Sequence, residues 1–493
     1  MAHRTVPLLL ALLAAPLGAQ APTVSASELS DDLALLERTL RSVHPGLTLH
    51  RPEAEIDAAF ADLSRAASGL ADRYGDAIPV TEAYLPVAAL LSAIRDGHTQ
   101  LNPYNQTGST RAALFDRADR VPFAFRLLGD RMVVTGDATP DRSLPPGTEV
   151  IALDGRLVPE VIAALLPYVR ADGGNDGKRR ALLQIAGTAP AEDFDILYPL
   201  VFETSGDLSL TVRRPDGTEA EIHVARTTRD ARLARLADRD PDLPLTNDDE
   251  LDVRVLDDGT GLVRIGTFAT FNMETDYGAW LVNAFRQVSG APRLIVDLRG
   301  NEGGWTDAAL LLFRHLLTEP VEISLWGSVL AYDVFPEALR PHVMSWDDGY
   351  LDRSAVAVRL GDGTFRLQEP TTLPVPPAPD AYPGPAAVIM DADASSATFR
   401  LAMAIRETGA AVLVGQETGG SLHGLNAGST VFLTLPHTGF VVDIPLIGSR
   451  PAAPGPDRGV IPDVLVAPDP DAVIAGRDPE VEAALTALRA NRP

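Results

Sequence analysis

Apolar positions near the amino terminus recur with a helical period. Leu33, Leu36, Leu40 and Val43 share one face behind Ser30, Asp31 and Asp32, which predicts a helix capped at Ser30 and ended by His44-Pro45. The stretch from Glu55 to Ala67 predicts a second helix. Thr81 to Arg95 predicts a third, with Tyr84, Val87, Leu90, Leu91 and Ile94 on one side. This helical unit ends in the loop Asp96-Gly97-His98-Thr99. From Val121 the period shortens: VPFAFRLL, RMVVTG, EVIALDG and LSLTVRRPDGTEAEIHVAR read as strands, with VPEVIAALLPYV as a helix between them. The polar, glycine-containing segment from Arg170 to Lys178 is expected to be a surface loop, and Arg226 to Glu250 a charged linker with a short helix over LARLAD.

Beyond Asp257-Asp258-Gly259 the pattern alternates. GLVRIGTF reads as a strand, TDYGAWLVNAFRQV as a helix, RLIVDLRGNEGG as a buried strand ending in a glycine turn, and TDAALLLFRHLL as a helix. The stretch from Ala386 to Gly420 repeats the theme. Ala387 to Met390 form an apolar run, a turn of Asp and small residues follows, and Phe399, Ala402 and Ile405 mark a helix before a further strand. A last helix is expected over Pro479 to Leu488. Strands alternating with helices imply an α/β layer architecture for this half.

Composition narrows the function. With 493 residues, 45% hydrophobic and 22% charged, the chain is long enough for two to four globular units. A formal net charge of -25 argues against nucleic acid and anionic membrane surfaces as partners. The first 21 residues have a positive start at Arg4, a short apolar core and a small-residue region at Ala19 to Ala21. This is the form of a secretory signal, so a periplasmic or secreted protein without an integral membrane segment is expected. The chain contains no cysteine, which removes disulfides, cysteine metal sites and a cysteine nucleophile.

Three segments can carry chemistry. Ser395 and Ser396 lie where a turn into a helix would expose a hydroxyl beside unpaired backbone N–H groups; helix capping is the alternative. Gly303 and Gly304, in the turn after the buried strand, can aim N–H groups at an anion, with tight-turn duty as the alternative. A serine nucleophile needs a base, and the candidates are His98, His423, a lysine or a carboxylate. The one lysine, Lys178, falls in the Arg170 to Lys178 segment, which leaves a histidine. No G-x-S-x-G elbow and no H-E-x-x-H motif occurs.

The order VDLRGNEGG, SSATFRLAMAIRETGAAVLVGQETGG and RGVIPDVLV, with DGHT upstream, resembles the C-terminal processing (tail-specific) serine peptidases of family S41. The stretch from Leu144 to Val158 resembles a PDZ module. The resemblance implies a crotonase-like (ClpP-like) αββ core, an N-terminal helical unit and an inserted PDZ-like β-rich domain. The boundaries are 1–21 signal peptide, 22–110 helical domain, 111–228 PDZ-like domain and 229–493 peptidase core. It implies Ser396 as nucleophile and the N–H groups of Ala397 and of Gly303 or Gly304 as oxyanion hole, with no metal and no cofactor. Two departures stand out: Ser421 occupies the slot of the processing branch's lysine, and Phe399 that of its glutamate. Both point to a tricorn-like branch, in which His98 is the base and Asp457 a candidate orienting acid, with Asp463 as a turn residue. The expected function is an exported serine endopeptidase acting on polypeptides. The alternative is a catalytically silent scaffold that binds peptides or an apolar ligand.

Overall fold

The computed structural model describes residues 22–106 and 108–490; the expected signal peptide lies outside the described residues. The carboxyl-terminal half is built on a six-stranded sheet. Its strands run in the order Val464–Leu465, Val412–Gly415, Ala386–Met390, Leu294–Asp297, Gly261–Ile265, Leu251–Val255. Every pairing is parallel except the last, and the central registers set Val296 beside Val388 and Val388 beside Leu413. The two central strands, LIVD and AAVIM, are buried throughout, as a parallel sheet covered on both faces requires. Helices Tyr277–Val288, Thr306–Leu316 and Ser396–Thr408 cover one face. Helix Pro479–Ala490 covers the other, setting Ala484 and Leu488 against Ile295, Ala387, Ile389 and Val414. Because Leu294–Asp297 and Ala386–Met390 are parallel neighbours, the turns that leave their carboxyl ends lie side by side. That topology brings the glycine turn to the serine turn.

Helices Ala26–Val43, Glu53–Tyr74 and Val80–Ala93 form the amino-terminal layer. The first is capped at Ser25, not at the expected Ser30. Ser25 Oγ accepts from the Glu28 N–H while Glu28 returns a carboxylate to the Ser25 N–H, a reciprocal pair that Ser30 cannot form from inside the helix. Asp32 is fully buried and accepts from Thr438 and the His437 N–H, docking this helix on the hairpin of Thr430–Thr434 and Val441–Pro445. Strands Phe123–Leu128, Arg131–Asp137, Glu149–Leu153, Leu208–Arg213 and Glu219–Val224 make an antiparallel sheet in that order.

Two expectations change here. The Arg170 to Lys178 segment is not a surface loop: Ala171, Asp172, Gly173, Asn175 and Lys178 are buried between the antiparallel unit and the core. Nor is Arg226 to Glu250 a free linker. Its helix, Arg229–Arg239, inserts Arg232, 0% exposed, between the carboxylates of Glu192 and Asp195 and onto the Val121 carbonyl. A charge pattern alone does not distinguish a solvated linker from a helix whose buried cation is paired with two buried carboxylates. Removing one member of such a buried cluster strands the others, at about 3–5 kcal/mol. Arg232→Ala is therefore expected to lower stability by about that amount in chemical denaturation. A change within experimental error would show that Glu192 and Asp195 do not depend on it.

Candidate active site

Strand Ala386–Met390 runs into Asp391–Ser395, and the helix opens at Ser396 with φ +51°, a left-handed value that a non-glycine residue adopts only under constraint. Ser395 holds the cap position, yet its side chain makes no capping bond; its Oγ donates to the Glu302 carbonyl at 3.1 Å. Ser396 Oγ makes no hydrogen bond among the described residues. The helix-cap reading of the serine pair thus fails for both hydroxyls.

The glycine turn lies directly against this helix start. A Cβ at Gly303, φ +109°, would stand 2.8 Å from Ser396 Cβ and 3.0 Å from the Ala397 nitrogen, so only glycine fits. Fully buried Asn301, which the sequence pattern did not single out, ties the two turns together. Its amide donates to the Ile265 carbonyl at 3.0 Å, and its Oδ1 accepts from Thr398 Oγ1 at 2.7 Å and from the Gly303 N–H at 2.9 Å. Gly303 therefore has no free N–H for an oxyanion. Phe268 pairs with the Gly303 carbonyl and the Trp305 N–H, which leaves the Gly304 N–H outside the ladder. Among the described residues the N–H groups of Gly304 and Ala397 take no partner.

A cavity of about 500 Å³ opens above these groups, lined by Ser395, Ser396, Gly303 and Gly304 from the core and by Gly97, His98, Arg170, Asp172 and Lys178 from the amino-terminal half. His98 is thus brought to the cavity that Ser396 lines. Its side chain is 29% exposed, and burial, with Arg170, Arg400 and Lys178 adding positive charge, holds its pKa below the ordinary histidine value, against the pull of Asp96. The backbone N–H of His98 donates to Asp96 Oδ1 at 2.7 Å, while its Nδ1 stands 4.0 Å from that oxygen and is buried without a partner. Asp96 faces His44 and Thr99 with its other oxygen, at 2.8 and 3.1 Å; despite burial, the His44 hydrogen bond holds its carboxyl at about 2.

The other expected residues fall elsewhere. His423 is not part of the cavity lining; its Nδ1 faces the Gly455 carbonyl at 3.1 Å and its ring lies 5.9 Å from that of His50. Asp457 stands 3.0 Å from His50 Nδ1 and accepts from Ser421 Oγ at 2.8 Å, so the carboxylates nearest His98 are Asp96 and Asp172 instead. Asp463 accepts from the Leu413 N–H at 2.9 Å, a bond to a strand 50 residues away.

Lys178, which its place in the sequence had set aside, enters the cavity wall. Its ammonium donates to Glu302 at 2.9 Å and to the carbonyl and carboxylate of Asp393 at 3.1 and 3.2 Å. Burial pulls its pKa down, but Glu302 and Asp393 outweigh that and raise it, so it stays charged and is no base. Arg170 bridges the same Glu302 and the Gly97 carbonyl, and Asp172 Oδ1 accepts from the Gly97 N–H at 2.9 Å.

A model of peptidase family S41 matches residues 259–434. A comparison with curated proteins returns no match. Among solved structures, mature CPAF complexed with lactacystin is 15% identical with a TM-score of 0.62, the alignment covering 94% of this chain and 98% of that one. Mature CPAF is 15% identical with a TM-score of 0.58, covering 91% and 94%. The photosystem II D1 C-terminal processing protease is 15% identical with a TM-score of 0.42, covering 94% and 98%. At this identity the likeness to CPAF is one of fold.

The acid pair beside His98 makes a prediction. Burial and the charge of Asp96 push the Asp172 carboxyl up to about 7, above the value of roughly 3.9 for an unfolded aspartate. The folded state then binds more protons than the unfolded state between those values, and stability falls as pH rises through that window. Asp172→Asn keeps an acceptor for Gly97 and removes the titration. Its melting temperature relative to the parent is expected to climb from pH 4 to pH 7 and level off above. A pH-independent difference would contradict this.

Proposed function

Because a model of peptidase family S41 matches residues 259–434, we propose that the chain is an exported serine endopeptidase that hydrolyses polypeptides at Ser396. The observation that carries the reading is a constrained serine with an unengaged hydroxyl at a helix start, set beside two unpartnered backbone N–H groups in a cavity that His98 also lines. Ser396 Oγ attacks the scissile carbonyl and His98 takes its proton. The N–H groups of Ala397 and Gly304 hold the oxyanion, with the positive end of helix Ser396–Thr408 behind them. His98 then protonates the leaving amine, water attacks the acyl-enzyme, and the same base completes the cycle. Gly303 allows the close approach, and Asn301 fixes both turns. Asp96 is the orienting acid, its Oδ1 standing 4.0 Å from the unpartnered Nδ1 in the resting site.

The antiparallel sheet unit is read as PDZ-like and the core as crotonase-like. Export rests on the signal-like first 21 residues. No helix among the described residues is long and apolar enough to cross a membrane.

Ser396→Ala is expected to lower peptide hydrolysis by on the order of 10⁴-fold or more. Ser395→Ala, which loses one hydrogen bond to a carbonyl, is expected to stay within about tenfold of the parent. Measured kcat/KM on an unstructured peptide decides; full activity in Ser396→Ala would end the assignment. A neutral imidazole is required, and its pKa is lowered, so activity is expected to rise with pH along a limb centred below the ordinary histidine value of about 6.5. A limb centred above that value would exclude His98 in its observed surroundings.

A further inference from the structure

The inner walls of the cavity mix polar and apolar surface, with Arg170, Asp172, Lys178 and Glu302 among the polar groups. Exposed aromatic surface is found on the chain neighbours of the lining as well as on Tyr104 within it. Phe271 and Trp305 are 63% and 58% exposed, and their rings meet edge to face with centroids 5.9 Å apart. Both are one residue away from the cavity lining: Phe271 precedes Asn272, and Trp305 follows Gly304. Both are also held by the backbone. Trp305 is the cap residue of helix Thr306–Leu316 and its N–H donates to the Phe268 carbonyl at 2.9 Å, while Phe271 is the centre of the short helical turn Thr270–Asn272. Two aromatic faces left in solvent next to a cleft are suited to binding.

We propose that Phe271 and Trp305 form a specificity subsite that receives an apolar side chain of the polypeptide substrate close to the scissile bond. The proposal rests on the reading of Ser396 as the peptidase nucleophile and adds the side-chain preference of that site. The step from Gly304 to Trp305 is one residue, about 3.8 Å between Cα atoms, so a substrate whose carbonyl oxygen meets the Gly304 N–H lies one residue from the backbone that bears the indole. The occupant is an aromatic or branched aliphatic side chain. An acidic one would gain no partner on the rings, and the cations of the wall, Arg170 and Lys178, are already paired with Glu302.

The test is a set of peptides identical except at the residues flanking the cleaved bond, Leu or Phe against Ser or Asp. Trp305→Ala and Phe271→Ala are expected to reduce the ratio of kcat/KM for apolar over polar peptides by about 10- to 100-fold, with Ser396 still labelled by a fluorophosphonate. An unchanged ratio, or equal loss on both peptides, overturns the subsite. Binding of the Leu and Phe peptides to Ser396→Ala and to Ser396→Ala/Trp305→Ala, followed by calorimetry, separates this proposal from the catalytic one. Weaker binding to the double variant supports the subsite even where no turnover is seen, and equal binding overturns it. Self-association that depends on Trp305, with peptide preference unchanged, also overturns it.

Discussion

A single buried ammonium joins the two halves of this molecule at the candidate active site. Lys178 comes from the antiparallel unit and ends between Glu302, one residue before Gly303, and Asp393, three residues before Ser396. Desolvating that charge is costly, and the cost is offset only if both carboxylates are in place. Burial opposes ionisation of Glu302 as well, yet Lys178 and Arg170 hold its carboxyl at about 2. The glycine turn, the serine turn and the segment from Arg170 to Lys178 therefore have one low-energy arrangement together, and a poor one if any is displaced. Arg170 and Asp172 extend the same constraint to Gly97, and so to the loop that presents His98. Asn175 extends it to the carbonyls of Thr418 and Gly420.

The electrostatics of the cavity follow from this packing. The chain is strongly acidic, with a formal net charge of -25, yet burial, helped by the positive charges of Arg170, Arg400 and Lys178, favours the neutral form of the imidazole. Two carboxylates nearby behave in opposite ways. Asp96, hydrogen-bonded to His44 and Thr99, stays ionised, while Asp172 is pushed toward neutrality by burial beside it. Pairs of acids driven apart in this way are a recurrent property of functional sites. Here the separation lies next to the residue proposed as base.

Much of the scaffold was legible in the chain itself, because it is written in short-range periodicity. LIVD and AAVIM are apolar runs of strand length, and the helices from Tyr277, Thr306, Ser396 and Pro479 carry apolar stripes at helical spacing. The serine pair and the glycine turn were legible because small residues at a strand-to-helix turn and glycines at a close approach leave local marks, while the choice of Ser396 over Ser395 came from the resemblance. What lay hidden was long-range. Lys178 looked like part of a polar loop because the carboxylates that justify its burial are 124 and 215 residues away. Asn301 reads as an ordinary turn residue until Thr398 and Ile265 are placed against it. Asp457 sits at a plausible spacing from Ser396, but His50 and Ser421 occupy it. Pairing across the fold, and not composition, decides such cases.

The central claim is that Ser396, Ala397, Gly304 and His98 act on one reacting carbonyl. The most direct measurement is a crystal structure of the protein inactivated by a peptidyl phosphonate. The account predicts phosphorus bonded to Ser396 Oγ, the phosphonyl oxygen about 3 Å from the N–H groups of Ala397 and Gly304, and the His98 ring within hydrogen-bond reach of the ester oxygen. Phosphorus on another residue, or a phosphonyl oxygen turned to solvent away from both N–H groups, would contradict it.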